Sequence, residues 1–204
     1  MAANNLGELR ALVKDWGNRT DITNTVIDSF INIAQDRANR LLRIPVLEGF
    51  QTIDVINGQM ALPADYLETK ALTIYANGKP VNLERKDLAF VAGRQATGWP
   101  KYFARKQNYF LIAPINDTIT TADIYYYYVA DNLVEDTDTN WFVAHGGDML
   151  LYGSLAELAL YTKNTEEAAQ WEAKFRGAAA EITKMADDAE WSGSSIGVLP
   201  ERKR

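Results

Sequence analysis

The sequence predicts an α+β protein: a helical bundle built from the N- and C-terminal segments, with a central antiparallel β insert domain. Three observations lead there. Near both ends of the chain apolar residues recur at offsets of three and four, the period of one helix face. Between about residues 50 and 133 the chain favours β-branched and aromatic residues, broken by turn dipeptides. After an acidic loop at 135–140 the helical spacing returns. The expected divisions are 1–46 for the N-terminal helices, 47–134 for the β insert, 135–190 for a helical hairpin that completes the bundle, and 191–204 for an extended C-terminal tail.

In the first helix, expected over 6–16, Leu6, Leu9, Val13 and Trp16 form one apolar stripe, and Gly17-Asn18 closes it. A second helix starts near Thr23 or Asn24, whose side-chain oxygens can accept from the free amides of a first turn. Its stripe is Ile27, Phe30, Ala34 and Leu41, with Val26 and Ile33 beside it. Pro45 ends it, because proline lacks an amide proton and disfavours helix in the residue before it.

Two Asn-Gly pairs punctuate the β region. Asn57-Gly58 separates 51–56 from 59–62, and Asn77-Gly78 separates 72–75 from 81–83. Both residue types tolerate the positive φ of a type I′ turn, which matches the twist of paired strands. Residues 102–106 and 109–113 form a third hairpin, and a short helix is expected near 86–91. The last strand, 119–130, contains four consecutive tyrosines. Alternation sends Ile124, Tyr126 and Tyr128 to one face and Tyr125, Tyr127 and Val129 to the other. With aromatics on both, each face is expected to be covered, by core or by a partner.

Residues 148–162 are apolar nearly all round, as in a central buried helix. Asn164 and Thr165 stop it and cap the next, whose first turn holds Glu166 and Glu167 at the positive end of the helix dipole. In that last helix Ala168, Trp171, Phe175, Ala178, Ile182, Met185 and Ala189 alternate offsets of three and four, a seam facing another helix. The short connection makes the two helices antiparallel. From Trp191 the pattern breaks: Ser192-Gly193-Ser194-Ser195 is flexible in composition, Ile196, Val198 and Leu199 are apolar without helical spacing, and Arg202, Lys203 and Arg204 end the chain basic. Such a segment is expected to order on a partner.

The 204 residues suffice for one domain or two small intimate ones, and the 47% hydrophobic content supports a substantial core. A formal net charge of −6 argues against a nucleic-acid binder, which would carry a basic stripe. The absence of cysteine removes disulfides, zinc–thiolate sites and cysteine nucleophiles. Met1 to Asn5 lacks the charged start and apolar run of a secretory signal, and no stretch reaches the roughly 18 apolar residues of a membrane span, so a soluble protein made in the cytoplasm is expected.

No constellation for catalysis emerges. His145 is the single histidine and no G-x-S-x-G elbow offers it a serine. Asp136, Asp138 and Asn140 match the first three positions of a calcium loop, but Trp141 stands where glycine is needed and Gly147 where a bidentate glutamate belongs. Phosphate-binding glycine loops are missing. Glu166-Glu167 and Asp187-Asp188 are helix neighbours that diverge. The chain therefore reads as a binding or building component, not an enzyme, with no catalytic, cofactor-binding or metal-ligating residues.

Several stretches, in order and spacing, resemble the head-to-tail adaptor (connector) family of tailed bacteriophages. They are Trp16-Gly17-Asn18-Arg19-Thr20-Asp21; Phe30-Ile31, Ala34, Arg37, Arg40 and Leu41-Leu42-Arg43; Leu62-Pro63-Ala64-Asp65-Tyr66-Leu67-Glu68; Gly98-Trp99-Pro100-Lys101-Tyr102; Leu111-Ile112-Ala113-Pro114; Leu151-Tyr152-Gly153-Ser154-Leu155-Ala156-Glu157; and Trp171, Phe175 and Ile182. The resemblance implies a virion protein at the head–tail interface: one subunit of a closed ring, commonly of twelve copies, docked to a portal protein above and meeting a tail or nozzle protein below. DNA would pass through the channel without specific binding, and a weakly acidic wall suits a polyanion that must slide. The C-terminal segment would reach the portal through Trp191, Ile196, Val198, Leu199, Arg202, Lys203 and Arg204. Tyr125 and Tyr127 would serve the subunit interface, since a ring needs two different complementary faces on each copy. Alternatives are a neck, tail-completion or head-closure protein, and a carbohydrate- or peptide-binding β module that uses the tyrosine strand.

Overall fold

The computed structural model describes residues 3–191. Among them the elements run α1 (Leu6–Trp16), α2 (Asn24–Leu41), β1 (Glu48–Ile56), β2 (Gln59–Ala61), β3 (Tyr66–Ala76), β4 (Lys79–Asn82), β5 (Glu84–Arg85), α3 (Leu88–Ala92), β6 (Tyr102–Lys106), β7 (Tyr109–Ala113), β8 (Thr121–Tyr128), α4 (Trp141–Tyr161) and α5 (Thr165–Trp191). The described residues are thus mixed α/β, with five α-helices and an eight-stranded sheet. It divides into one unit of Met1–Pro45 with Ala130–Arg204 and another of Val46–Val129.

In the first unit α4 packs against α5, α2 and α1. It is apolar on all sides, and Phe142, Val143, Met149, Leu150, Leu151, Leu155 and Leu158 are buried. It begins earlier than residue 148. Asn140 caps it, its Oδ1 accepting from the amide of Val143 at 3.1 Å, and the helix continues through Gly146, whose φ of −129° and ψ of 30° kink it. Gly146 and Gly147 thus lie at a bend inside one helix. Gly153 lies where two neighbours converge: a Cβ there would stand 2.7 Å from Cβ of Ala34 on α2 and 3.0 Å from the Phe175 ring on α5.

Two of the expected stripes shift. In α2 the buried line is Ile27, Ile31, Ala34 and Ala38 with Phe30, while Ile33 and Leu41 are exposed. Leu41 is the last helical residue, and Leu42, in extended conformation, takes the buried place instead. In α5 the seam holds at Ala168, Phe175 and Ala178, weakens at Ile182 and fails at Met185, which is 71% exposed. A strict seven-residue repeat drifts by about 20° per heptad around a straight helix, and over this length it walks off the buried face. The helix also takes in Trp191, the first residue assigned to the tail.

Charged and polar side chains fasten this unit. Arg10 of α1 pairs with Asp28 of α2, Nη2 to Oδ2 at 2.9 Å, and with Asp136. Arg37 of α2 pairs with Glu157 of α4 and Glu172 of α5, and its guanidinium lies 4.3 Å over the Phe175 ring. The chain re-enters the unit at Ala130, whose amide donates to Asn39 Oδ1 at 3.2 Å, while Gln35 donates to the carbonyl of Asp131 at 3.1 Å. Ala130 and Leu133 are buried in this unit.

The second unit is the sheet, in the order β4-β3-β8-β1-β2-β7-β6-β5. Every pairing is antiparallel except that of β5 with β6. Asn57 and Gly58 (φ 52° and 70°) and Asn77 and Gly78 (φ 52° and 76°) make the two tight turns with the expected positive angles. β1 bends from a long pairing with β8 to a short one with β2. One core receives Leu72, Ile74, Ile124 and Tyr126 from one half of the sheet and Met60, Phe103, Phe110 and Ile112 from the other. Gly49 faces Tyr126 across the β1–β8 pair. Both outer strands are short and exposed: β4 carries Lys79 and Pro80, and β5 has only two residues.

Candidate interaction surfaces

The residues weighed for catalysis or for a calcium loop make contacts within the fold. His145 is exposed and stacks on Trp141, ring centroids 5.4 Å apart and 13° from parallel. Asp138 Oδ2 accepts from the amides of Val134 at 2.9 Å and Glu135 at 2.8 Å, and these bonds hold its carboxyl below the usual range. Asp136 is bound to Arg10, and Asn140 caps α4 while its amide donates to Gln35 and the Asp131 carbonyl. Among the described residues no group of three or more His, Cys, Asp or Glu could hold a metal ion, and no helix is long and apolar enough to cross a membrane.

What the protein presents is aromatic surface. On the outward side of β8, Tyr125 is 43% exposed and packs against Phe50 of β1, itself 53% exposed, with centroids 4.9 Å apart. The strand register places them directly opposite each other. Two residues along β8, Asp123 is nearly buried on the same side; it accepts from Thr52 Oγ1 at 2.6 Å and Tyr75 OH at 2.8 Å. The Tyr75 hydroxyl titrates higher than usual because it donates to that carboxylate. Of the two tyrosines expected at a subunit interface, Tyr125 is exposed beside Phe50, and Tyr127 is half-buried. The β1–β8 register adds Phe50, and β3 adds Tyr75; both were hidden from a reading of β8 alone.

Beneath this layer Tyr126 points inward and is 2% exposed. Burial first, and then its 3.0 Å hydrogen bond to Asp65, push its pKa up to about 12.

A second aromatic group lies on the helical unit. Trp16, Tyr152 and Trp171 contact one another with centroids 5.9 to 6.3 Å apart, and Lys174 Nζ sits 4.4 Å over the Trp171 ring. Trp16 is half exposed, so it ends the α1 stripe at the surface. A shallow groove between the end of α2 and α5 is lined by Leu41, Leu42, Arg176, Ala179, Ala180 and Thr183.

A third surface forms at the sheet corner carrying β5, α3 and β6. Asp87 caps α3, its Oδ1 accepting from the amide of Ala89 at 2.8 Å. The Arg94 guanidinium lies 3.6 Å over the Phe90 ring, which meets Tyr102 edge-on at 5.1 Å. Leu88 and Trp99 are exposed there, 37% and 45%. Arg85, Arg94 and Lys101 are exposed and make no ion pair among the described residues.

Trp191 lies at the end of α5, and Ile196, Val198, Leu199, Arg202, Lys203 and Arg204, expected to engage a portal, lie outside the described residues. The family model described as SU10 adaptor protein matches residues 4–198 of the chain. No curated protein matches it.

Proposed function

Since the chain belongs to the SU10 adaptor protein family, whose members are phage structural components, we propose that it is a head-to-tail adaptor subunit that forms a ring, docks to the portal and lines the DNA exit channel. In this reading the helices of both chain ends form a bundle and the β unit is an insert within it. Twelve copies close the ring, a tail or nozzle protein meets its far side, and DNA passes without specific contacts.

The observation that supports the reading best is the outward Phe50–Tyr125 pair, large aromatic side chains left half exposed on a sheet face. Contiguous exposed aromatics mark protein contacts more often than solvated surface. The C-terminal segment supplies the portal contact: Trp191, Ile196, Val198 and Leu199 as apolar anchors, with Arg202, Lys203 and Arg204 as charges.

The test is native mass spectrometry of the full chain with the phage's portal, and of a chain lacking 192–204. A defined multimer on the portal that is lost on truncation is expected. A full-length chain that neither self-associates nor binds the portal refutes the ring; full binding by the truncated chain refutes the role of the tail.

A further inference from the structure

The charge of this protein is unevenly placed. Residues 84–106, from β5 through α3 to the end of β6, hold six cations against two carboxylates, a net of +4; Arg85, Arg94 and Lys101 belong to the β5–α3–β6 corner, and Arg105 and Lys106 to the β6–β7 turn. Residues 165–191, which are α5, hold seven carboxylates against three cations, a net of −4. Each is exposed charge beside apolar surface: Leu88 and Trp99 at the corner, Met185 on the helix.

We propose that the basic corner of the β unit docks on the exposed acidic face of α5 of a second copy of this chain. The inference rests on the ring reading above and supplies its two unlike faces. A closed ring is built from heterologous contacts, in which one patch meets a different patch on the next copy.

Both faces are laid out for such a contact. At 100° per residue, Glu166, Glu181 and Asp188 fall within about 60° of one another on α5, and all three are exposed. Lys174, Lys184 and Gly177 share that side, leaving three carboxylates against two lysines, and a Cβ on Gly177 would meet nothing within 4 Å. At the corner, Arg85 and Lys101 flank the parallel β5–β6 pair, held by a 2.8 Å bond from the amide of Glu84 to the carbonyl of Lys101. Arg94 is fixed on Phe90, so its charge is positioned in advance. The corner also carries Glu84 and the helix-capping Asp87 among its cations. A track for phosphates would exclude those carboxylates, whereas a protein face of mixed charge accommodates them. At physiological salt the attraction reaches only about 8 Å, so it acts at contact and weakens as salt rises.

The experiment uses the full-length chain and measures self-association by sedimentation velocity across salt concentrations, with unfolding midpoints checking that each variant folds. The double change Arg85→Glu with Lys101→Glu is expected to weaken association by roughly tenfold or more. Glu181→Lys with Asp188→Lys should do the same, and the four changes together should restore it. Trp99→Ser, which leaves charge untouched, should weaken it as well. In a mixture of ¹⁴N and ¹⁵N chains, carbodiimide should join Lys101 to an α5 carboxylate between chains of different mass. Association insensitive to the reversals, or cross-links confined to single chains, overturns the proposed contact and leaves the ring standing. A wild-type chain that stays solitary both alone and with the portal brings down the ring and this contact with it. Duplex DNA retained by the wild type and lost on Arg85→Glu with Lys101→Glu, at unchanged self-association, makes the corner a nucleic-acid surface and overturns the proposal.

Discussion

Gly49 and Tyr126 are cross-strand partners, and a Cβ on Gly49 would stand 3.1 Å from the Tyr126 Cζ. The missing side chain is the space the phenol ring occupies on its way to Asp65. Gly49→Ala is therefore expected to lower stability by about 1–2 kcal/mol, as overpacking does. Urea unfolding of Gly49→Ala, Tyr126→Leu and the double variant checks it: the alanine should cost less in the Tyr126→Leu background than beside the tyrosine, a coupling that two independent effects would not show.

Gly153 is the corresponding point in the helical unit. Alanine would press on Ala34 and Phe175 from one atom, and valine from three. Gly153→Val is expected to cost about 3 kcal/mol or more, and Gly153→Ala less, because two packed helices must separate to admit the side chain. Thermal unfolding followed by far-ultraviolet circular dichroism measures both.

The Tyr126 hydroxyl gives an alkaline signature. Its folded pKa is raised to about 12, above the ordinary value of 10.0. The unfolded chain thus releases this proton first. The contribution is complete below pH 10 and is lost as pH rises toward 12, on the order of 2 kcal/mol at the end of that window. Tyr126→Phe should flatten this part of the stability–pH curve relative to the wild type. Equal slopes in urea titrations at pH 9 and 11.5 would exclude the effect.

Arg10 is the joint between α1, α2 and the loop before α4, and its side chain is 11% exposed. The Asp28 bond, the largest influence on it, raises its pKa, so it stays charged. Asp28→Ala leaves that charge with Asp136 alone and is expected to cost about 1–3 kcal/mol. Asp28→Ala with Arg10→Met should recover part of the loss, because an unmatched charge costs more than a missing pair. Urea unfolding of the single and double variants measures both.

The tight hairpins were legible in the sequence because Asn-Gly carries its own backbone preference; β6 and β7 begin and end at the residues expected, 102–106 and 109–113. The end of the α5 seam was not, since a heptad pattern looks regular on paper while a straight helix turns it away from its partner. The sequence pattern marks only 72–75 of β3, which starts at Tyr66, because Glu68 and Lys70 interrupt its apolar alternation and two register shifts bend it. The surfaces were less legible than the elements. Tyr125 could be picked from its strand, but Phe50 joins it only through register, 75 positions being the gap in sequence between them. Arg37, marked only by family likeness, turns out to tie three helices together. The basic corner draws on β5, α3 and the approach to β6, which no local pattern groups.

The blunt rims of the sheet limit how two copies of the chain can meet. Pro80 on β4 offers no amide to an incoming strand, and Lys79 beside it would place its charge against that strand. At the opposite rim, two residues are too short a template to recruit one. Crowded copies are therefore steered away from stacking backbone to backbone into fibres, and any growth must go through side chains, where geometry can decide when to stop.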